Sequence, residues 1–433
     1  MDHARVRCPA GTVVGRIDGE VDRYTGIRYA MAERFGKPEA QPETSGEIDA
    51  TRWSPRCPQR ENPLQTEESE PRDLGVDEQC QYLSVTVPHD AMPGEVLPVM
   101  VWIHGGSYET GGGDETYSDP ALLVAEQRLI VVTVTYRLGP LGFLGDDERP
   151  ANLGLLDQIE ALRWVARNIS AFGGDPESVT LFGQSAGADA IAHLMIADGA
   201  SGLFQRAIIQ SPPLGITLGR KSMSSVMSRR LGDLPDVLDN EQMVAEQERL
   251  VRGLSRFGWV AAMPFGVQYG HDPLPSEDEL DQAWSEAAPR VDVLIGSNNR
   301  ETALFAELTP AFARLRRTKV GTRLYEAAVE RTTRHIYDDA IDYFTHRHRA
   351  AGGHASRYMV DWGAGPRFQG AHVIELALLF PTHAWAVGEL LEGVDLAEVQ
   401  REGRAMRDMW ARFARTGRTG TQEIPGVLRV AQG

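Results

Sequence analysis

Residues 172–187 read Phe172-Gly173-Gly174-Asp175-Pro176-Glu177-Ser178-Val179-Thr180-Leu181-Phe182-Gly183-Gln184-Ser185-Ala186-Gly187. The apolar run at 179–182 has the character of a short buried strand, and residues 188–197 read as a helix. Between them stands G-x-S-x-G, in the strand–turn–helix setting that gives this motif its meaning. A turn sharp enough to lift Ser185 above a sheet leaves no room for side chains two residues to either side. Glycine at 183 and 187 meets that demand. A free serine hydroxyl is a poor nucleophile, so the chemistry also requires a base and an oxyanion site. Alone, the pentapeptide reads equally well as a tight turn followed by a helix capped by Ser185.

The flanks decide against the plain cap. Upstream, Leu97–Ile103 is a continuous apolar run ending at His104-Gly105-Gly106. Adjacent glycines let the main chain approach a substrate carbonyl, and the amides of Gly105, Gly106 and Ala186 together form a donor set for a tetrahedral intermediate. Further apolar runs occur at 129–134, 207–209 and 291–295, and residues 155–169 carry helical spacing through Leu155, Ile159, Leu162 and Val165. Short apolar strands alternating with amphipathic helices predict an α/β architecture, with a mostly parallel central sheet covered by helices. Sites in such sheets lie beyond the carboxyl ends of the strands.

The sixteen-residue stretch resembles the extended active-serine signature of type-B carboxylesterases, the carboxylesterase/cholinesterase group of α/β-hydrolases. Further matches keep that family's order: Tyr136-Arg137-Leu138-Gly139, Gly142-Phe143-Leu144, Asn152-Leu153-Gly154-Leu155 with Asp157-Gln158, and Leu203-Phe204-Gln205-Arg206-Ala207-Ile208. A late segment, 409–417, fits as well. The resemblance covers roughly residues 20–215, 290–310 and 365–420. It implies an α/β-hydrolase fold in one domain over 1–433. Strands and a surface loop would fill 1–90, and pocket or cap insertions 212–290 and 306–365.

Triad order in this fold is serine, acid, histidine. The resemblance puts the acid at Glu301, in Gly296-Ser297-Asn298-Asn299-Arg300-Glu301, to orient and stabilise the imidazole. Asp292 is the runner-up, and simple pairing of Glu301 with Arg300 is the structural alternative. The base falls on His372, in Gly370-Ala371-His372-Val373-Ile374-Glu375-Leu376, which resembles the family's H-x-x-E-L element. His354 and His383 are alternatives without matching flanks. Glu301 and His372 are 71 residues apart, a short interval for the family, so the helical cap is expected to be reduced. Ala190 replaces a frequent serine that helps bind the triad acid.

These residues imply a serine carboxylesterase that hydrolyses esters through an acyl-enzyme. The same site could serve a carbamate or activated amide, and a non-catalytic cholinesterase-like binding protein is the rival from another class. No cofactor or metal is implied, because nucleophile and base are both side chains. The expected partner is a small-molecule ester. The polar segment 58–78 reads as a surface loop. The span 59–79 lacks the tryptophan with which cholinesterase-like members hold a quaternary ammonium, which predicts neutral esters, short or aromatic, with no advantage for choline esters.

Composition agrees. The 433 residues are 42% hydrophobic and 24% charged, an ordinary globular balance, and the net charge of −17 argues against nucleic acid as a partner. No apolar run is long enough to span a membrane, and residues 1–8 lack a signal peptide's apolar stretch, so a cytoplasmic enzyme is expected. Three cysteines are too few for a disulfide scaffold. Cys57 and Cys80 stand where the family often places a disulfide, but in a reducing cytosol two neighbouring thiols are expected. His346-x-His348 lacks ligand partners and reads as solvated surface.

Overall fold

The computed structural model describes residues 3–61, 72–91, 95–232, 239–363, 365, 367–391, 393–420 and 423–431. Residues 62–71, within the surface loop expected at 58–78, lie outside them. Among the described residues a 13-stranded sheet runs through the molecule. Its centre is parallel, in the order Ile130–Val134, Leu97–Ile103, Gly174–Gln184, Arg206–Gln210, Asp292–Asn298 and Ala355–Val360. The wings are antiparallel, except that the short strand Glu47–Asp49 pairs parallel with Gly11–Asp18. His3–Cys8, Gly11–Asp18, Val21–Arg28 and Tyr82–Pro88 form one, and Leu428–Ala431 with Glu423–Ile424 the other.

Sequence texture explains the division. Ile130–Val134 is buried at every position, as a strand covered on both faces must be. Gly11–Asp18 alternates buried with half-buried residues, which suits a wing with one wetter face. In the central strands successive side chains feed opposite cores. Val99, Val101 and Ile103 join one apolar cluster, while Met100 and Trp102 join the other. Trp102 packs against Phe182 at 4.9 Å and Phe380 at 5.1 Å, ring centre to ring centre.

Helix Leu153–Asn168 buries Leu155, Ile159, Leu162 and Val165, the stripe its spacing predicts. Helix Ala186–Leu194 is buried on every side, which its Ala-rich sequence permits. Helices Lys221–Leu231 and Asn240–Val251 lie within 212–290, and Lys319–Thr333 and Asp339–Ala350 within 306–365.

One surface expectation is corrected. His346 is exposed, but His348 is buried, its Nε2 3.0 Å from the Val291 carbonyl and its pKa lowered by burial to about 4. The phase of helix Asp339–Ala350 turns position 348 inward and leaves 346 in solvent. Cys57 and Cys80 are fully buried neighbours with free thiols. Burial, and then the adjacent Cys57, push the Cys80 thiol well above its ordinary range.

Candidate active site

Ser185 sits between strand Gly174–Gln184 and helix Ala186–Leu194 with φ 57° and ψ −124°, a left-handed conformation that strains any residue but glycine. The flanking glycines are sterically required. A Cβ on Gly183 would lie 2.6 Å from the Ile103 carbonyl oxygen, and one on Gly187 only 2.0 Å from the same atom. The strain is held by the close backbone around the turn and by the Ser185 amide, which donates to Gln210 O at 2.9 Å.

The loop after Leu97–Ile103 presses on this turn. A Cβ on Gly105 would stand 2.6 Å from Gln184 O and 3.2 Å from Ser185 Cβ. Gly106, Ser107 and Tyr108 then run through positive φ, at 110°, 58° and 59°. Two tyrosines hold the loop: Tyr136 Oη donates to His104 O at 2.6 Å, and Tyr108 Oη donates to Asp189 Oδ2 at 2.6 Å on the nucleophile helix. Among the described residues the amides of Gly105, Gly106 and Ser107 have no protein acceptor, and Ala186 begins its helix, where the amide is free. The free Ser107 amide was not expected from sequence, which pointed to Gly105, Gly106 and Ala186. His104 itself is buried, its pKa lowered by burial to about 4, so it is neutral.

Glu301 and His372 meet beside the serine. Glu301 is fully buried just past strand Asp292–Asn298, and its Oε2 lies 2.5 Å from His372 Nδ1. Its Oε1 accepts the Asn298 amide at 2.6 Å. With Nδ1 donating to the carboxylate, Nε2 is left as the acceptor. Gln184 Nε2 is nearly equidistant from the two ring nitrogens, at 3.2 and 3.5 Å, so it lies over the ring and leaves the in-plane lone pair open. Among the described residues no hydrogen bond joins Ser185 Oγ to His372 Nε2. Such contacts are often loose before substrate tightens them.

The alternatives are placed elsewhere. Asp292 opens its strand at the amino end, away from Ser185, and faces His354 at 3.9 Å. His383 is exposed at the start of a short helix. Arg300 pairs with Glu326 at 2.9 Å rather than with Glu301.

A second buried carboxylate escaped sequence reading. Glu375 Oε2 accepts from Asn298 Nδ2 at 2.6 Å, so Asn298 serves Glu301 with its backbone and Glu375 with its side chain. Burial first, and then the Glu301 charge, push the Glu375 carboxyl up to about 7. Its place in the H-x-x-E element was visible; its burial against the acid turn was not.

Two cavities meet at the serine, of about 330 and about 320 Å³. Ser107, Ser185, Ala262 and Phe305 belong to both. The first holds His372, Gly105 and Gly106, with Tyr117 and Trp385 on its walls. It also holds the buried Glu109, whose carboxyl burial pushes up and which lies 3.5 Å from Arg60. The second is apolar, walled by Pro213, Ile216, Met263, Phe312 and Ile336.

Residues 2–355 match the model of the carboxylesterase family. The chain is 36% identical to a probable N-octanoylanthranilate hydrolase, AqdA2, of Rhodococcus erythropolis, over 95% of this chain and 93% of that protein. It is 32% identical to the para-nitrobenzyl esterase of Bacillus subtilis (strain 168), over 98% and 92%. A solved structure of a thermophilic PNB esterase superposes with a TM-score of 0.78 at 29% identity, covering 98% of this chain and 93% of that one.

Proposed function

Because the chain belongs to the carboxylesterase family and is a carboxylic ester hydrolase, we propose that Ser185, His372 and Glu301 carry its turnover as nucleophile, base and orienting acid. The 2.5 Å contact between Glu301 and His372 in the cavity that Ser185 lines is the observation that carries this reading. His372 Nε2 takes the Ser185 proton as Oγ attacks the ester carbonyl. The amides of Gly105, Gly106 and Ala186, with that of Ser107 beside them, receive the oxyanion. His372 then gives the proton to the leaving alcohol, and water, activated by the same imidazole, releases the acid.

The leaving oxygen must lie within reach of His372, which lines the first cavity and not the second. The alcohol side therefore occupies the first cavity, and the acyl chain enters the apolar second one. Neutral esters suit both, since the Glu109 carboxyl is countered by Arg60.

An activated fluorophosphonate tests the assignment. It should label Ser185 at one per chain, and Ser185→Ala should abolish both labelling and turnover of an aryl ester, a loss of several orders of magnitude. Retention of a tenth of wild-type kcat would overturn it. Hydrolysis of an N-acyl substrate by the same residues is the second reading, favoured by the relative named for N-octanoylanthranilate. The ratio of kcat/KM for an N-acylanthranilate and for an aryl ester of the same acid separates the two. The three buried free thiols favour a reducing compartment, the cytoplasm. No described helix is long and apolar enough to cross a membrane.

A further inference from the structure

Residues 308–325 contain no aspartate or glutamate, yet hold Arg314, Arg316, Arg317, Lys319 and Arg323, in a chain of net charge −17. Short turns Pro310–Ala313 and Arg314–Arg317 lead into helix Lys319–Thr333. Arg316 is taken up by Glu307 at 2.7 Å. Arg314, Arg317, Lys319 and Arg323 are exposed, and none has an acidic partner among the described residues. The flanking acids are committed to other arginines, Glu307 to Arg316 and Arg367, and Glu326 to Arg300.

The same segment bares large apolar side chains. Val320 is 68% exposed, Leu324 59% and Phe312 44%. Val320, Leu324, Ala328 and Thr332 recur every fourth residue, so they form one stripe along the helix. Its outer end is in solvent, and its inner end, Ala328 and Thr332, walls the second cavity. Trp259, Phe305 and Phe312 are both exposed and part of that wall. The bare apolar surface is thus continuous with the mouth of the active site and is fringed by unpaired cations.

We propose that this face seats the enzyme on an anionic lipid surface, with the mouth of the second cavity turned toward the lipid. A cluster of Lys and Arg beside apolar side chains is the combination that recognises such a surface. A soluble polyanion would satisfy the cations and leave the apolar residues in water. A second copy of the chain, docked through the same face, would set cation against cation. The acidic remainder of the molecule is repelled by an anionic surface, so it favours approach by this face alone.

Flotation of the full-length protein with phosphatidylcholine vesicles, with and without phosphatidylglycerol, tests the proposal. Binding to the mixed vesicles should exceed binding to the neutral ones by about tenfold or more. It should fall about tenfold in Arg317→Glu/Lys319→Glu/Arg323→Glu, and also in Val320→Ser/Leu324→Ser, and added salt should weaken it. Both variants change exposed residues and should turn over a soluble aryl acetate like wild type. Absent binding, or equal binding to neutral vesicles, overturns the proposal. So does a Val320→Ser/Leu324→Ser protein that binds undiminished, since the face would then be a plain polyanion site. Soluble-ester turnover in the same preparations reads the triad separately. Its loss would strike the catalytic assignment and leave the vesicle result standing.

Discussion

Glu301 and His372 are joined twice. Glu301 Oε2 lies 2.5 Å from His372 Nδ1, and the His372 amide donates to the Glu301 carbonyl at 3.1 Å. The main-chain bond fixes where the ring begins and the carboxylate fixes how it turns, so imidazole and acid move as one unit. Glu301→Gln preserves size but removes the charge that stabilises the imidazolium. Its kcat on an aryl ester should fall by roughly 10²–10⁴. Steady-state kinetics at matched folded fractions check this, and an unchanged kcat would exclude Glu301 as the orienting acid.

Glu375 makes stability depend on pH in an unusual direction. Its carboxyl is held up at about 7 by burial and by Glu301, against about 4.3 in an unfolded chain. Between those values the folded state binds more protons than the unfolded one, so the stability from this group is complete below them and is lost as pH rises through about 7. Glu375→Gln removes that dependence. The Tm of wild type minus that of the variant should therefore fall between about pH 5 and about pH 8. His104 and His348, with pKa values lowered to about 4, destabilise the fold in acid, but they act in both proteins and cancel. A difference that stays constant with pH would show that Glu375 is not protonated in the fold.

The turn at Ser185 leaves no space at Gly187. An added methyl would meet the Ile103 carbonyl oxygen at 2.0 Å and the His104 carbonyl oxygen at 2.6 Å, both rigid backbone. Gly187→Ala should lower unfolding free energy by about 1–3 kcal/mol and displace the nucleophile. Gly365→Ala, where nothing lies within 4 Å, is the matched control and should be near neutral in denaturant titration. Equal midpoints for the two variants would contradict the packing.

Cys57 and Cys80 lie side by side as buried thiols, with Leu138 N donating to Cys57 Sγ at 3.2 Å. Thiol counting in denaturant should give three per chain for the reduced protein and one after mild oxidation that spares Cys8. Three in both samples would show that the pair does not bridge.

The sequence was most readable where structure is local. Strand, turn, Ser185 and helix follow one another within a few residues, and the glycine pair at 105 and 106 follows its strand directly. Glu301 and His372 could be proposed because family flanks surround them and because the order of triad members is fixed. The pairing of Asn298 with Glu375 was silent, since their joint burial arises only when the turn at 296–301 meets the segment at 370–376. His348 was misread because two histidines on one helix, two residues apart, face different environments. The apolar cavity was equally hidden. Its walls come from Pro213, Met263, Phe312 and Ile336, which are distant in the chain and share no period.

Among the described residues four are common to the two cavities, and Ser185 is one of them. Met263 and Ile336 line one cavity alone, while Tyr117 and Trp385 line the other alone. Substitutions at sites that share no neighbours add nearly independently. With the acid in one cavity and the alcohol in the other, as proposed, preference for the acid half and preference for the alcohol half would be separable heritable traits. A descendant could exchange one acid for another by altering two or three residues on one wall, while its choice of alcohol stayed as it was.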